Sequence, residues 1–393
     1  MPLSDAALVG AGNSAPQKKE LFENGIHPFI RTSDVGQVGF GEIGEARDLL
    51  NDVGVNKLRR VSKGAILMPK SGASTFLNHR VETTVDAYIS SHLATIEARK
   101  DKAIPRYLLY FLSTVKAQDL IQDHKYPSLT LGIIGSIPVP LPPLEEQKRI
   151  VAVLDQAFAA LDRARAHAEA NLADAEKLTD SFLDIQIHSL FSQFGSVRID
   201  DLARVKGGKR LPKGEKTKIE RTPYPYISVR DMTDDGTVDV DTVRFIDAEV
   251  QATIGKYTIS SGDVYVSIAG TIAKTGVIPD CLDGANLTEN AAKLVLSDGW
   301  HRNYIYWSTR SNNFRDQAIE QTRIAAQPKL ALQRLGSITI PKAEEAEQRN
   351  LAERMISFRD HVSNLKLAYI AQLNDIANLR QSLLQKAFSA KLS

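Results

Sequence analysis

One phrase occurs twice in this chain: SIPVPLPPLEEQKRI beginning at Ser136 and SITIPKAEEAEQRN beginning at Ser337. At one constant offset and without a gap, Pro127 matches Pro328, Leu129 matches Leu330, and Gly135 matches Gly336. Ile137 then falls on Ile338, Pro140 on Pro341, Glu146 on Glu347 and Gln147 on Gln348. Upstream the offset drifts as loop insertions would make it, but HPFIRTSDV from His27 still faces YPYISVRDM from Tyr224. VSKGAILMPKSG from Val61 faces ISSGDVYVSIAG from Ile259, and RYLLYFLS from Arg106 faces RNYIYWST from Arg302. Near the N-terminus Asp5, Val9, Gly12 and Pro16 face Asp201, Val205, Gly208 and Pro212. Two tandem copies of one unit follow, so any fold chosen for the first half must also serve the second.

Each copy has two parts. The first mixes short β-rich runs (Pro28–Thr32, Gly64–Met68, Tyr226–Val229, Asp263–Ile268) with glycine turns and short helices. IPRYLLYFLSTVKAQDLIQ and WHRNYIYWSTRSNNFRDQAIEQ read as helices, with Tyr110 and Trp307 on the apolar stripe. The second part is a long helix with heptad spacing and an acidic start that suits the helix dipole. One column of the first helix is Leu154, Leu161, Ala168, Ala175 and Phe182, and the neighbouring column holds Ala157, Ala164, Asn171, Leu178 and Ile185. The second helix gives Met355, Val362, Tyr369, Ile376 and Leu383, with Phe358, Leu365, Gln372 and Leu379 beside them. At about 1.5 Å per residue such helices reach roughly 60–70 Å, too long to bury on a small module, so they are expected to pair with each other. Asn171 and Gln372 are the polar seam positions that would set register. The expected fold class is α+β modules plus long antiparallel coiled-coil helices, an internal two-fold repeat in a dumbbell shape. The expected segments are modules at 1–143 and 195–342, each followed by a long helix, at 144–194 and 343–393.

Composition narrows the function classes. The chain has 393 residues, 43% hydrophobic and 24% charged, with a formal net charge of +2. It contains no apolar run of membrane-spanning length and no signal-peptide pattern, so a cytoplasmic protein without membrane contact is expected. The single cysteine, Cys281, leaves neither an internal disulfide nor a cysteine-based zinc site. Net charge alone does not announce a nucleic acid, but the run from Arg204 to Arg221 holds eight Lys/Arg against two Glu. Such a basic loop beside glycines suits phosphate contact.

Catalytic motifs are harder to place. GFGEIG from Gly39 fits the G-x-G-x-x-G pattern of dinucleotide and methyl-donor sites, which leaves a methyltransferase using S-adenosylmethionine as an alternative reading. That motif needs a strand before it and an acid about 20 residues on, whereas TSDVGQV is a poor strand and KLRR is basic. GKRLPKGEKT from Gly208 has the wrong spacing for a P-loop, and the eight histidines form no ligand-spaced cluster. Binding and positioning are therefore expected rather than catalysis. A coiled-coil scaffold whose modules bind protein is the other alternative.

SIPVPLPPLEEQKRIVAVLD after YPSLTLGI, with SGDVYVSIAGTIAKTGVI, NLTENAAKLVL and AAQPKLALQRLGSITIP in the second copy, resembles the specificity subunit of type I restriction-modification systems. The resemblance covers nearly the whole chain. It implies that the modules are target recognition domains, each reading half of a bipartite double-stranded DNA target. The long helices would space them and dock two modification subunits. Under that resemblance this chain binds no cofactor and no metal. S-adenosylmethionine would belong to the modification subunits, and ATP with Mg to restriction subunits that join the complex. The second phrase, IPKAEEAEQRN, lacks the double proline, so docking at that end is expected to differ.

For phosphate contacts in the second module the candidates are Lys206, Lys209, Arg210, Lys213 and Lys216; for bases they are Ser228, Arg230, Thr271, Lys274, Arg323 and Gln327. The first module has AGNSAPQK where the second has GGKRLPKG, so its anchors shift to Lys18, Lys19, Arg59, Arg60 and Lys63. Its base-contact candidates are Arg31, Lys70, Ser74, His79 and Arg80. These assignments follow the usual division between phosphate contacts that position and base-edge contacts that specify.

Overall fold

A computed structural model describes residues 1–121, 125–322 and 329–389. The chain forms two compact units: Met1–Glu169 together with the stretch from Ala371 onward, and the continuous stretch Ala170–Ile370.

In the first unit the strands are β1 (Ala7–Ala11), β2 (His27–Ile30), β3 (Phe40–Ile43), β4 (Asp48–Leu50), β5 (Ile66–Pro69), β6 (Arg80–Thr83), β7 (Tyr88–Ile89) and β8 (Leu93–Ala98). They make one five-stranded sheet, β1-β8-β5-β6-β3, and one three-stranded sheet, β4-β2-β7. Central β5 is buried at all four positions, which is why ILMP reads as a continuous apolar run rather than an alternation. The helix Pro105–Leu112 starts with proline at its first turn and buries all of Tyr107–Leu112 in the same core. It stops earlier than its apolar stripe suggests. The hydroxyls of Ser113 and Thr114 bond back to the Leu109 and Phe111 carbonyls, offering the backbone an alternative to another helical turn.

The second unit repeats the plan. Its strands are β9 (Ser196–Arg198), β10 (Ala203–Gly207), β11 (Pro225–Ile227), β12 (Arg244–Phe245), β13 (Thr258–Ile259), β14 (Val264–Ser267), β15 (Thr275–Gly276), β16 (Ala285–Leu287), β17 (Ala291–Leu296) and β18 (Thr339–Pro341). The sheets run β10-β17-β14-β15 and β12-β11-β16-β13, with a small β18-β9 pair. β1 and β10 each pair antiparallel with the last long strand of their module, and β2 and β11 each pair parallel with β7 and β16. The helical stretch after Arg302 divides at Ser311, whose side chain caps a second helix by accepting from the Phe314 N–H.

The doubled phrase is explained by what its residues hold. Gln147 is wholly buried; its carbonyl accepts from the Ile104 N–H at 3.0 Å and its amide donates to the Lys102 and Pro142 carbonyls, both at 2.9 Å. Gln348 does the same in the second unit, accepting from His301 N–H at 2.7 Å and donating to the Gly299 and Ala343 carbonyls at 3.1 and 3.0 Å. The double proline of the first copy contributes only a carbonyl to this clamp, so Ala343 replaces Pro142 without loss. A second tie is equally duplicated: the Tyr107 hydroxyl donates to Pro140 O at 2.8 Å, and that of Tyr304 to Pro341 O at 2.7 Å. Tyr304→Phe strands the buried Pro341 carbonyl and is expected to destabilise the second unit by about 1–2 kcal/mol. Urea unfolding followed by tryptophan fluorescence reads this directly, since Trp300 and Trp307 both lie there; an unchanged midpoint would refute it.

The long helices span Leu144–Phe194, 51 residues, and Glu345–Phe388, 44 residues. In the first unit Ile150, Leu154 and Phe158 share a core with Leu384. Arg380 bonds Asp162 at 2.8 Å and lies 4.4 Å from the centre of the Phe158 ring. In the second unit Phe182 stacks on Phe358 at 4.1 Å, and Leu183, Ile187 and Leu190 join Leu351 and Met355 in one core.

The first expected column is enclosed: Leu154, Met355 and Val362 are buried, and Leu161, Phe182, Tyr369, Ile376 and Leu383 are half-buried. The neighbouring column needs correction. Leu178 and Leu379 are 40% and 49% exposed, and Asn171 and Gln372 are exposed as well. The burial runs instead through Phe158, Leu183, Ile187 and Leu384. Phe158 lies four residues beyond Leu154 and Ile187 four beyond Leu183, so the buried face advances in four-residue steps that drift off the first column instead of keeping to the heptad column three residues along.

Candidate nucleic-acid interface

Each module gathers three connections at one place. Gly12 and Gly208 follow the first strand, and a side chain on either would strike a carbonyl: Ile89 O at 2.2 Å or Thr288 O at 2.1 Å. The next residue is then pinned to the sheet that holds β7 or β16, Asn13 N–H to Ile89 O at 3.0 Å and Lys209 N–H to Leu287 O at 2.8 Å. The Ser91 N–H closes onto Asn13 O at 2.8 Å. The loop after the central strand joins the same group. Lys70 N–H donates to His92 O at 2.9 Å, and Ile268 N–H donates to Asn290 O at 2.8 Å. Both loops then turn at a glycine with positive φ, Gly72 at 80° and Gly270 at 78°.

In the second module this place is basic and polar. The Lys209 ammonium sits 5.5 Å from the centre of the Tyr257 ring, while its carbonyl accepts from the Tyr226 hydroxyl at 3.0 Å. Arg210 bonds Glu289 at 2.7 Å. Partial burial works to raise the Glu289 carboxyl, but bonds from Arg210, its own backbone and Thr288 outweigh that and hold it below the usual carboxylate range. Lys213, Lys216 and Thr271 are exposed, and Lys329, unnoticed in the sequence, donates to Glu289 O at 3.4 Å. In the first module the corresponding place carries Lys70 and Ser74, with Ser71 Oγ and His92 Nδ1 2.7 Å apart. Neither Glu289 nor His92 carries a motif; only the alignment of NLTENAAKL with YISSHLATI points to them.

The remaining candidates are dispersed. Lys18 and Lys19 are exposed at the short 3-10 turn Lys19–Leu21. Arg31 pairs with Asp48, Arg59 with Glu97 at 2.9 Å, Arg60 with Asp86, and Lys274 with Asp234 at 2.8 Å. Of these the Arg60–Asp86 pair is exposed on both sides, and such pairs contribute about 0–1 kcal/mol, so a phosphate can displace that acid at small cost. Lys63 is exposed. Lys206 faces Lys293 across the β10–β17 ladder, and Arg230 is exposed. Ser228 is engaged with Asp231, which accepts from both its N–H and its hydroxyl at 2.7 and 2.8 Å. Arg323 and Gln327 lie outside the described residues.

Arg80 has to be withdrawn from the base-contact set. It is 1% exposed, its guanidinium donates to the His79 and Val115 carbonyls, and burial lowers its pKa to about 10. A group so enclosed cannot meet a base edge without unfolding its surroundings. His79 beside it is also held below its usual pKa, by burial first and by Arg80 second. The GFGEIG motif also lacks its context: Phe40–Ile43 is a strand, β3, and a helix, Thr32–Val38, precedes it. No helix among the described residues is long and apolar enough to cross a membrane. Among the described residues no cluster of three or more His, Cys, Asp or Glu could hold a metal ion.

Two α+β modules that share their central strand pairings, each presenting a polar loop surface and each clamped by a buried glutamine to a long helix, define a binding protein made by duplication. The family model of the type I restriction modification DNA specificity domain matches residues 1–169 and 192–375, and the chain belongs to that family. It is 22% identical over 338 residues to the EcoBI specificity subunit of Escherichia coli, covering 78% of this chain and 70% of that one. It is likewise 22% identical over 304 residues to the MjaVIII specificity subunit of Methanocaldococcus jannaschii, covering 71% and 68%. The fold matches that of a crystallised HsdS subunit from Thermoanaerobacter tengcongensis with a TM-score of 0.62 at 18% identity, over 100% of this chain and 96% of that one. A chain from a study of assembly and conformational transition in the type I system gives a TM-score of 0.73, also at 18% identity, over 100% and 97%. This protein is accordingly a DNA-binding specificity subunit of a type I restriction-modification system, a non-catalytic component.

Proposed function

We propose that each module reads one half of a bipartite DNA target and that the two long helices set the spacing between the halves. The observation that carries this is the duplication of the module together with its clamp, Gln147 in one copy and Gln348 in the other. A reader fixed to a stiff helix transmits its position, whereas one on a loose linker would not. The segments assigned to these roles are 1–143 and 195–342 for reading, 144–194 and 343–393 for spacing. Lys209, Arg210, Lys213 and Lys216 are the phosphate set of the second module, with Arg210 exchanging Glu289 for a phosphate oxygen. Thr271 there, and Lys70 with Ser74 in the first module, stand where base edges would be read.

Two modification subunits would dock on the helices, where Leu178, Ile185 and Leu367 are exposed apolar side chains. They would supply the S-adenosylmethionine chemistry, and restriction subunits would supply the ATP- and Mg-dependent steps, in the cytoplasm where the DNA is. Mapping modified bases in strains with and without this chain tests the reading. A split motif with a fixed unspecific centre that vanishes on deletion is expected, and an unchanged pattern would refute it.

A further inference from the structure

The loop between β5 and β6 in the first module is longer than its counterpart between β14 and β15, and it is built differently. Residues Ala73–Leu77 form a 3-10 turn standing on the buried Thr75. At its entry Gly72 N–H donates to Pro127 O at 3.0 Å, beside the Ser71–His92 contact. At its exit Asn78 takes a left-handed conformation, φ 56°, which asparagine tolerates better than other side-chain-bearing residues. Its amide oxygen accepts from Ala117 N–H at 2.7 Å and its amide nitrogen donates to Gln118 at 2.9 Å. The Gln118 amide in turn donates to Phe76 O at 2.8 Å. The turn is therefore tied at both ends to the chain that follows the helix Pro105–Leu112. Its outward groups are Ala73 and Leu77, the latter 61% exposed, with Ser74 and Lys70 alongside.

Such a surface has a definite chemistry. An apolar side chain held rigidly beside a hydroxyl suits the major-groove edge of an A·T pair, where a thymine methyl adjoins hydrogen-bonding atoms. We propose that the turn Ala73–Leu77 is a preformed base-reading element of the first module, with Asn78 and Gln118 as the residues that position it. The inference rests on the reading of each module as a half-site reader. The entry tie recurs after β14, where Ala269 bridges Lys329, but the exit of that loop is held from within, the Ser267 hydroxyl accepting from Lys274 N–H at 2.8 Å. Among the described residues no amide pair there stands in for Asn78 and Gln118, so the exit tie belongs to one half of the target.

The test uses the assembled complex and maps modified sites genome-wide for Asn78→Gly, Gln118→Ala and Leu77→Ala. Asn78→Gly keeps the left-handed backbone while removing the amide, so a folding defect is not confounded with a positioning one. Each variant should raise modification at sites mismatched in one half by about tenfold relative to the parent, at a thymine position for Leu77→Ala, while the other half stays strict. A loss of stability alone would lower modification without relaxing either half. An unchanged motif, a uniform loss, or equal relaxation of both halves would overturn the inference. If the parental pattern does not depend on this chain at all, the half-site reading fails and takes this inference with it.

Discussion

Gln147→Ala is expected to lower the stability of the first unit by about 3–4 kcal/mol, and Gln348→Ala to do the same to the second. Each substitution leaves one backbone N–H and two carbonyls without their partner in a site closed to water. Buried groups abandoned in this way cost about 1–3 kcal/mol each, and carbonyls with a spare lone pair fall at the low end. A glutamate in place of Gln147 would be no better, because its carboxylate would face the Lys102 and Pro142 carbonyls. In urea the affected transition should move down by about 1–2 M. Both tryptophans lie in the second unit, so fluorescence assigns the transitions. It should follow Gln348→Ala closely and stay nearly still for Gln147→Ala. Equal small shifts in both variants would mean that the clamp is not the main tie between helix and module.

The second large effect concerns DNA. Reversing Lys209, Lys213 and Lys216 to glutamate in the assembled complex should weaken binding about 100-fold near 0.1 M salt. The logarithmic salt dependence should become shallower by about 2–3, since each lost phosphate contact removes about 0.9. The motif itself should stay the same, because phosphate contacts carry no base information. Titrating binding against salt checks the first claim and mapping the motif checks the second. A salt slope equal to that of the parent would exclude this loop from the phosphate track.

Much of this molecule was legible because its signals are local. The duplicated phrase, the glycines at 12 and 208 and the proline at the start of Pro105–Leu112 each act within a few residues of themselves. The heptads of Leu154 and Met355 likewise need no partner to be seen. What escaped notice depends on distant chain. Arg80 looked like an exposed loop cation, and only its carbonyl partners at His79 and Val115 enclose it. The column of Leu178 and Leu379 was an equal choice until the modules occupied the side of Phe158 and Leu384. Arg210 could be placed in a basic loop, but its pairing with Glu289 spans two strands and leaves no periodic trace.

The core of the first module is completed by Leu384 and Phe388, which come from the far end of the chain; Phe388 meets the edges of Tyr107 and Phe111 at 5.2 and 5.7 Å. The second unit, by contrast, is one uninterrupted stretch, Ala170–Ile370. During synthesis, therefore, the half that leaves the ribosome first is the half that must wait. At about 5–20 residues per second the roughly 280 residues from Phe111 to Phe388 impose a delay of about 14–55 s. For that interval Tyr107 and Phe111 stand without their final cover, so the first module matures after the second although its residues precede it.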